Sequence, residues 1–106
     1  MSSIHNYVTE MERLLRSHGK ADKADLLKKI ADTPNHTDFS ALVSSLDVWG
    51  GEGSVVDVTL EEPNDERRYS ELIVDLAEAL DQLGIGNSRS RWVGQVVEDW
   101  LNAHPK

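Results

Sequence analysis

A chain of 106 residues with 39% hydrophobic and 28% charged side chains has the size and balance of one globular domain, which excludes global disorder and a membrane-spanning protein. The absence of cysteine excludes disulfides, thiol catalysis and cysteine-based metal sites. It also favours a cytoplasmic protein, as does the absence of a basic, apolar leader at the N-terminus.

The net charge of −8 is unevenly distributed along the chain. Residues 1–35 carry six basic and five acidic side chains, a net of +1, whereas residues 36–106 carry five basic and fourteen acidic ones, a net of −9. Nucleic-acid binding depends on clustered positive charge, so this distribution disfavours a nucleic-acid partner. It suits either plain solubility or attraction to a basic protein.

The first 31 residues predict two helices. Apolar residues at helical spacing would line one face of the first helix, namely Ile4, Tyr7, Val8, Met11, Leu14 and Leu15. Gly19 is expected to end this helix in the left-handed conformation. A second helix over residues 20–31 follows after a short link, which predicts an antiparallel helical hairpin.

A third helix is predicted after Pro34, with Asn35 or Thr37 as its N-cap. Its apolar face would consist of Phe39, Leu42, Val43 and Leu46. Trp49 follows Leu46 by three positions, so we expect its indole to extend this face into the core.

Residues 50–60 break the helical spacing. Three glycines in four positions, followed by several β-branched residues, predict a turn and then a short extended segment over residues 55–60. Such a segment would need a partner for its backbone groups, either within the chain or in another subunit. Alternatively, Ser54 and Asp57 match a Ser-x-x-Asp pattern that precedes helices, which predicts a single helical turn instead.

Two further helices complete the prediction. Asn64 would cap a long fourth helix that buries Tyr69, Leu72, Ile73, Leu76, Leu80 and Leu83. Asn87 or Ser88 would cap a fifth helix whose core face is Trp92, Val93, Val96, Val97, Trp100 and Leu101. The predicted fold is therefore mainly α, a compact single-domain bundle of about five helices over residues 1–106. A glycine-rich loop and a short extended arm, residues 50–60, would lie between the third and fourth helices.

The first candidate site is the glycine-rich loop with the aromatic residue before it and the acid after it: Trp49, Gly50, Gly51, Glu52, Gly53, Ser54 and Asp57. Backbone amides of a glycine turn can bind an anion, but no Gly-Lys-Ser/Thr follows a strand here, and the two acids would repel an anion. The favoured interpretation is structural: the loop ends a helix, and Asp57 is a buried or half-buried acceptor of hydrogen bonds from Ser54 or the loop amides.

The second candidate site is an acidic band on the arm and the fourth helix, made of Glu61, Glu62, Asp65, Glu66, Glu71, Asp75, Glu78 and Asp81. It is interpreted either as a solvated face or as a docking face for a basic partner. Arg89 and Arg91 are expected to pair with Glu61 and Glu62, or with Asp65 and Glu66; the alternative is that they bind a ligand. The four histidines are scattered, and no catalytic set, metal site or cofactor is predicted.

The stretch from Trp49 through Ser54, together with Asp57, resembles a segment of a group of small, uncharacterised bacterial proteins. In that group an aromatic residue, a Gly-Gly-x-Gly-Ser turn and an acid follow a helix like that of residues 39–46. The resemblance covers about residues 38–60 and implies no activity. In size and charge the chain is also similar to bacterial immunity proteins, which neutralise basic toxins.

These observations favour a non-enzymatic interaction protein, of immunity or regulatory type, that binds a basic partner through the acidic band, the loop and the edge of the arm. The alternative is a small-ligand or enzymatic site around Glu52, Ser54 and Asp57. A third hypothesis is a homodimer that pairs the arms of two chains, so that both monomer and homodimer stay open.

Overall fold

The computed structural model describes residues 2–104, and side chains from residue 3 onward; residues 1, 105 and 106 of the predicted domain lie outside this range. Its helices are α1 (Ser2–Ser17), α2 (Ala21–Ala31), α3 (His36–Val43), α4 (Leu46–Trp49), α5 (Pro63–Gln82) and α6 (Ser88–Ala103). Residues 2–104 contain no strand. The prediction of a mainly α bundle of about five helices is confirmed, with α4 as an added single turn.

The bundle is built on two antiparallel pairs. α1 packs against α2 and α5, and α5 packs in turn against α6. Gly19, with φ 74°, ends α1 in the left-handed conformation, as predicted. The buried apolar side chains form one cluster, whose largest members are Trp49, Tyr69 and Phe39.

The third predicted helix is interrupted. α3 ends at Val43, where the hydroxyls of Ser44 and Ser45 donate hydrogen bonds to the Ser40 and Leu42 carbonyls, both at 2.7 Å. The helix restarts as α4, so the helical spacing does not carry across the break. Leu46 is 71% exposed, and its prediction as a core residue was wrong. The predicted burial of Leu83 was wrong as well, since this residue is 50% exposed.

Trp49 lies where the sequence places it. Its side chain is fully buried, and its indole Nε1 donates a 2.8 Å hydrogen bond to the Val43 carbonyl. A buried indole needs a partner for its N–H, and the Val43 carbonyl is that partner. The same bond connects α4 to the last residue of α3. Trp49 therefore joins the helical core to the segment that follows.

We call residues 50–60 the insertion. It forms a single 3-10 turn at Val55–Asp57 and then extended backbone at Val58, with φ −72° and ψ 133°. The second sequence interpretation, a helical turn, is therefore the observed one, and the predicted strand was wrong for this segment. The homodimer hypothesis relied on that strand, so it loses its stated basis.

The insertion is held against the core at its middle and at its last residue. The Val55 and Leu60 side chains are buried, and the Tyr69 hydroxyl donates a 2.7 Å hydrogen bond to the Val55 carbonyl. The Leu60 amide donates to a Glu66 carboxylate oxygen. Burial raises the pKa of the Tyr69 hydroxyl well above its ordinary value, so it stays a donor.

The caps of the last two helices differ in how well they were predicted. Glu62, rather than Asn64, caps α5: its carboxylate accepts from the Asn64 and Asp65 amides at 3.0 and 2.8 Å. Pro63 takes the first helical position, where its missing N–H leaves no bond unmade. Asn87, one of the two predicted residues, caps α6 in a reciprocal pair with Ser90.

α6 is the element that departs most from its predicted burial. Trp92, Val96 and Trp100 are 57%, 46% and 43% exposed, so their prediction as a core stripe was wrong. The helix instead meets α5 along a line through Gly94, where an added Cβ would lie 2.8 Å from the Ala77 Cβ. This close approach turns the outer part of the apolar face away from α5.

Candidate functional site

The insertion and α6 form the two walls of a groove. The groove consists of two adjoining open clefts of about 420 and 300 Å³. Val56 and Asp57 of the insertion line both clefts, as do Val96 and Val97 of α6, so the clefts are continuous. We call the larger one the loop cleft, the smaller one the arm cleft, and both together the insertion groove.

The exposed apolar residues of α6 form the outer edge of this groove. Trp92, Val96 and Trp100 are spaced by four residues, which places them in one line along the helix, and we call them the α6 ridge. Contiguous exposed apolar surface on a small protein commonly marks a binding surface, because covering it with water is unfavourable by about 25 cal/mol for each Å². The ridge is therefore a candidate binding surface, since it holds three of the five large apolar residues found exposed in the described part of the chain.

Two of the three loop glycines are required by the backbone. At Gly50 an added Cβ would lie 2.7 Å from the Leu46 carbonyl oxygen, which is closer than atoms pack. Gly53 has φ 86°, a conformation that residues with a side chain rarely adopt. The glycine turn is thus explained by chain geometry alone, in agreement with the structural interpretation of the loop.

Arg89 links the loop end of the groove to the ridge. Its Nε donates a 3.1 Å hydrogen bond to the Trp49 carbonyl, and its guanidinium carbon lies 5.0 Å from the centre of a Trp92 ring. This geometry is a cation–π contact, which holds the Trp92 indole in place at the surface. The expected pairing of Arg89 with an acid was wrong, whereas Arg91 pairs with Asp81 at 3.2 Å rather than with the predicted acids.

Asp57 and Ser54 lie together in the loop cleft but do not form a catalytic pair. Asp57 is exposed, so its predicted burial was wrong. Its Oδ2 accepts a 3.2 Å hydrogen bond from the Gly53 amide, which confirms the predicted bond to the loop. The Ser54 hydroxyl is buried and has no hydrogen-bond partner among residues 2–104. A serine nucleophile needs an adjacent base, and no described base contacts this one, so the enzymatic alternative stays a hypothesis that the cleft alone favours.

The arm cleft differs from the loop cleft in charge. Its walls are mainly apolar, and two carboxylates, Asp57 and Glu66, line it. No lysine or arginine of residues 2–104 lines it, whereas Arg89 lines the loop cleft. The arm cleft is therefore mainly apolar, its charged lining residues are both acidic, and Thr59 and Ser70 are its other polar residues.

The predicted acidic band does not form one free face. Glu62 caps α5, Glu66 binds the Leu60 amide, and Asp65 Oδ2 lies 2.9 Å from His18 Nε2. Glu71 lies within 3.8 Å of Arg67 and 3.5 Å of Arg68. The band thus includes several residues with structural contacts of their own.

The remaining acids of the band lie apart from the loop. Burial raises the pKa of the Asp75 carboxyl, while nearby Arg68 partly opposes this effect. Arg68 also makes two hydrogen bonds to Glu10 of α1, at 2.7 and 2.8 Å, which lower the pKa of that carboxyl. Glu61 and Glu78 are exposed. Neither cleft of the insertion groove is lined by Glu71, Asp75 or Glu78.

The sequence interpretation missed the α6 ridge and the role of Arg89. A usable signal was present, because the six apolar residues predicted for the last helix span an arc of about 180°. One neighbouring helix covers less than this, so part of such an arc stays exposed unless a further element packs on it. Which residues of this arc stay exposed could be learned only from the structure, through the contact of Gly94 with α5.

Comparisons with protein families, curated proteins and solved structures found no match for this chain. The two resemblances drawn from the sequence, to a small bacterial group and to immunity proteins, therefore stay expectations. None of the described helices combines the length and apolar character needed to cross a membrane. Residues 2–104 contain no cluster of three or more metal-ligating side chains.

Proposed function

We propose that this chain is a non-enzymatic protein–protein interaction module that binds a basic protein through the insertion groove and the α6 ridge. The observation that carries the proposal is the line of exposed Trp92, Val96 and Trp100 beside a firmly anchored insertion. Aromatic side chains are the commonest energetic centres of protein interfaces, because they bury much apolar area with few rotatable bonds.

The charge of the chain supports a basic partner. Residues 36–106 carry a net charge of −9, and Glu52, Asp57 and Glu66 line the groove. An acidic surface accelerates encounter with a positively charged protein and disfavours contact with a second copy of the same acidic chain. This argues for a heterologous partner over a homodimer at the ridge.

An immunity or regulatory role fits such a surface, since a small acidic protein can neutralise a basic protein by covering its active region. The absence of cysteine supports a cytoplasmic place of action. In this proposal the acids of α5 outside the groove contribute long-range attraction, whereas the apolar ridge supplies most of the contact energy.

The test is affinity capture from native cells with three immobilised forms of the protein: wild type, the Trp92→Ser/Trp100→Ser variant and the Leu83→Ser variant. Leu83 is 50% exposed and does not line the groove, so its substitution controls for loss of surface apolar area. We expect wild type and Leu83→Ser to retain the same basic protein in near-equal amounts, and the ridge variant to lose it.

The captured protein is then purified, and its dissociation constant is measured at two salt concentrations. We expect weaker binding at high salt, because screening reduces attraction between opposite charges. Equal capture by the ridge variant, or capture of no protein in stoichiometric amount at low salt, would contradict the proposed function.

A further inference from the structure

We infer that the arm cleft is the socket for a lysine or arginine side chain of the basic partner. This inference rests on the proposed function and names the group that the partner places in the groove. Its aliphatic stem would lie against the apolar walls of the cleft, and its cationic head would lie at the acidic edge.

The walls of the arm cleft suit an aliphatic stem. Val58 of the insertion, Ile73 of α5, and Val96 and Trp100 of α6 supply the apolar lining. Long basic side chains bury their methylene groups along apolar surface while keeping the charge near polar groups. One face of the half-exposed Trp100 ring stacks on His104, with 4.6 Å between the ring centroids, so a cation can contact this ring only through its other face.

The acidic edge has capacity for a cation. Asp57 uses Oδ2 for the Gly53 amide, and Glu66 uses Oε2 for the Leu60 amide. The second oxygen of each carboxylate has no hydrogen-bond or ion-pair partner within residues 2–104. No lysine or arginine of this range lines the cleft. Two basic groups lie beyond its lining: the His104 ring stacks on Trp100, and Arg67 donates to the His104 carbonyl and lies 3.8 Å from Glu71.

The loop cleft is a poorer socket for the same group. Arg89 lies in its lining and already occupies the neighbourhood of the Trp92 ring. A second cation there would be repelled by the guanidinium, whereas an apolar partner side chain would not. The arm cleft is thus the specific cationic position within the longer apolar groove.

The test uses the isolated chain and three small probes: Nα-acetyl-lysine amide, Nα-acetyl-arginine amide and Nα-acetyl-norleucine amide. The side-chain ammonium and guanidinium groups stay free and charged. Norleucine keeps the stem of lysine and lacks the ammonium group, so it isolates the contribution of charge. Binding is followed by two-dimensional ¹⁵N NMR through the Trp100 indole N–H and the Val58 and Thr59 amide signals.

We expect at least one cationic probe to give saturable shifts at these three signals and the norleucine probe to bind about fivefold more weakly, as suits one partly exposed charge contact. Asp57→Asn, which keeps an oxygen for the Gly53 amide, should weaken the cationic probe by about two- to fivefold. Glu78→Gln removes the same charge outside the groove and should leave binding unchanged.

Absence of saturable shifts with both cationic probes would overturn the inference, as would equal binding of norleucine or equal weakening by Glu78→Gln. The comparison of lysine with norleucine uses the wild-type chain and does not depend on the folding of a variant. Failure here together with ridge-dependent capture would leave the proposed function standing without this socket. Probe binding without ridge-dependent capture would support a cationic socket in the arm cleft and would contradict the proposed function.

Discussion

α5 and α6 are neighbouring antiparallel helices, and the sequence predicts an apolar face of six residues for each, yet they bury very different parts of that face. α5 lies between α1 and α6 and buries most of its apolar residues, including Tyr69, Leu72 and Leu76. α6 packs chiefly on α5, and its buried residues are Ser90, Val93 and Gly94. Helical spacing therefore identifies an apolar face, whereas the placement of other elements decides whether that face is core or surface.

The largest expected effect is a difference in the free energy of unfolding between a substitution in α5 and one in α6. Leu76→Ala in α5 removes a fully buried side chain and should lower the free energy of unfolding by about 2–5 kcal/mol. Trp92→Ala in α6 removes a larger side chain that is more than half exposed, and should cost less than about 1 kcal/mol. Urea unfolding of both variants checks this, and a Trp92→Ala cost equal to that of Leu76→Ala would break the comparison.

A second experiment addresses the contact that sets how α6 lies on α5. Gly94→Ala places a methyl group 2.8 Å from the Ala77 Cβ, and this overpacking should destabilise the protein by about 1–2 kcal/mol despite the better helix propensity of alanine. Adding Ala77→Gly makes room and should recover part of the loss, which a double-mutant cycle measures.

An increase in stability with Gly94→Ala alone would show that α6 is not seated closely on α5. The ridge would then owe its exposure to some other cause than this contact.

The smallest expected effect depends on pH and concerns the outer side of α5. Burial raises the pKa of Asp75 above its ordinary value of 3.8, so the folded state favours the protonated acid relative to the unfolded state. The resulting loss of stability is absent below the unfolded pKa, begins as the pH rises through it and is complete above the folded pKa.

Asp75→Asn mimics the protonated form at all pH values. We expect it to raise stability by a few tenths of a kcal/mol at about pH 7 and to make no difference at about pH 3, as thermal unfolding at both values would detect. Glu78→Gln, an exposed change on the same helix, controls for the loss of one negative charge. A gain of equal size at both pH values would contradict the role of burial.

Several local features could be read from single residues because short-range chemistry controls them. Gly19 ends α1, Asn87 caps α6, and Trp49 is buried, each as predicted. The cap of α5 was misassigned because asparagine is a preferred N-cap residue and glutamate is not. In the structure Pro63 takes the first helical position, and the Glu62 carboxylate accepts from the Asn64 and Asp65 amides. The insertion was ambiguous for a related reason: β-branched residues suit both a strand and a tight turn held by tertiary contacts.

The candidate site could be predicted only in part. The sequence singled out the loop from Trp49 to Ser54 and Asp57, and these residues do line or adjoin one groove. It combined them with the acids of α5, whereas the structure places Glu71, Asp75 and Glu78 outside that groove. The other wall, the α6 ridge, was assigned to the core.

The sequence by itself determined the helical class, the position of the insertion and the acidity of residues 36–106, because helix spacing, glycine geometry and charge are properties of neighbouring residues. Only the tertiary structure decided which apolar surface remains open to water. That outcome depends on contacts between distant residues, above all the approach of Gly94 to Ala77 and the bond from Tyr69 to Val55. The first leaves Trp92 and Trp100 at the surface, and the second holds the insertion in place beside them.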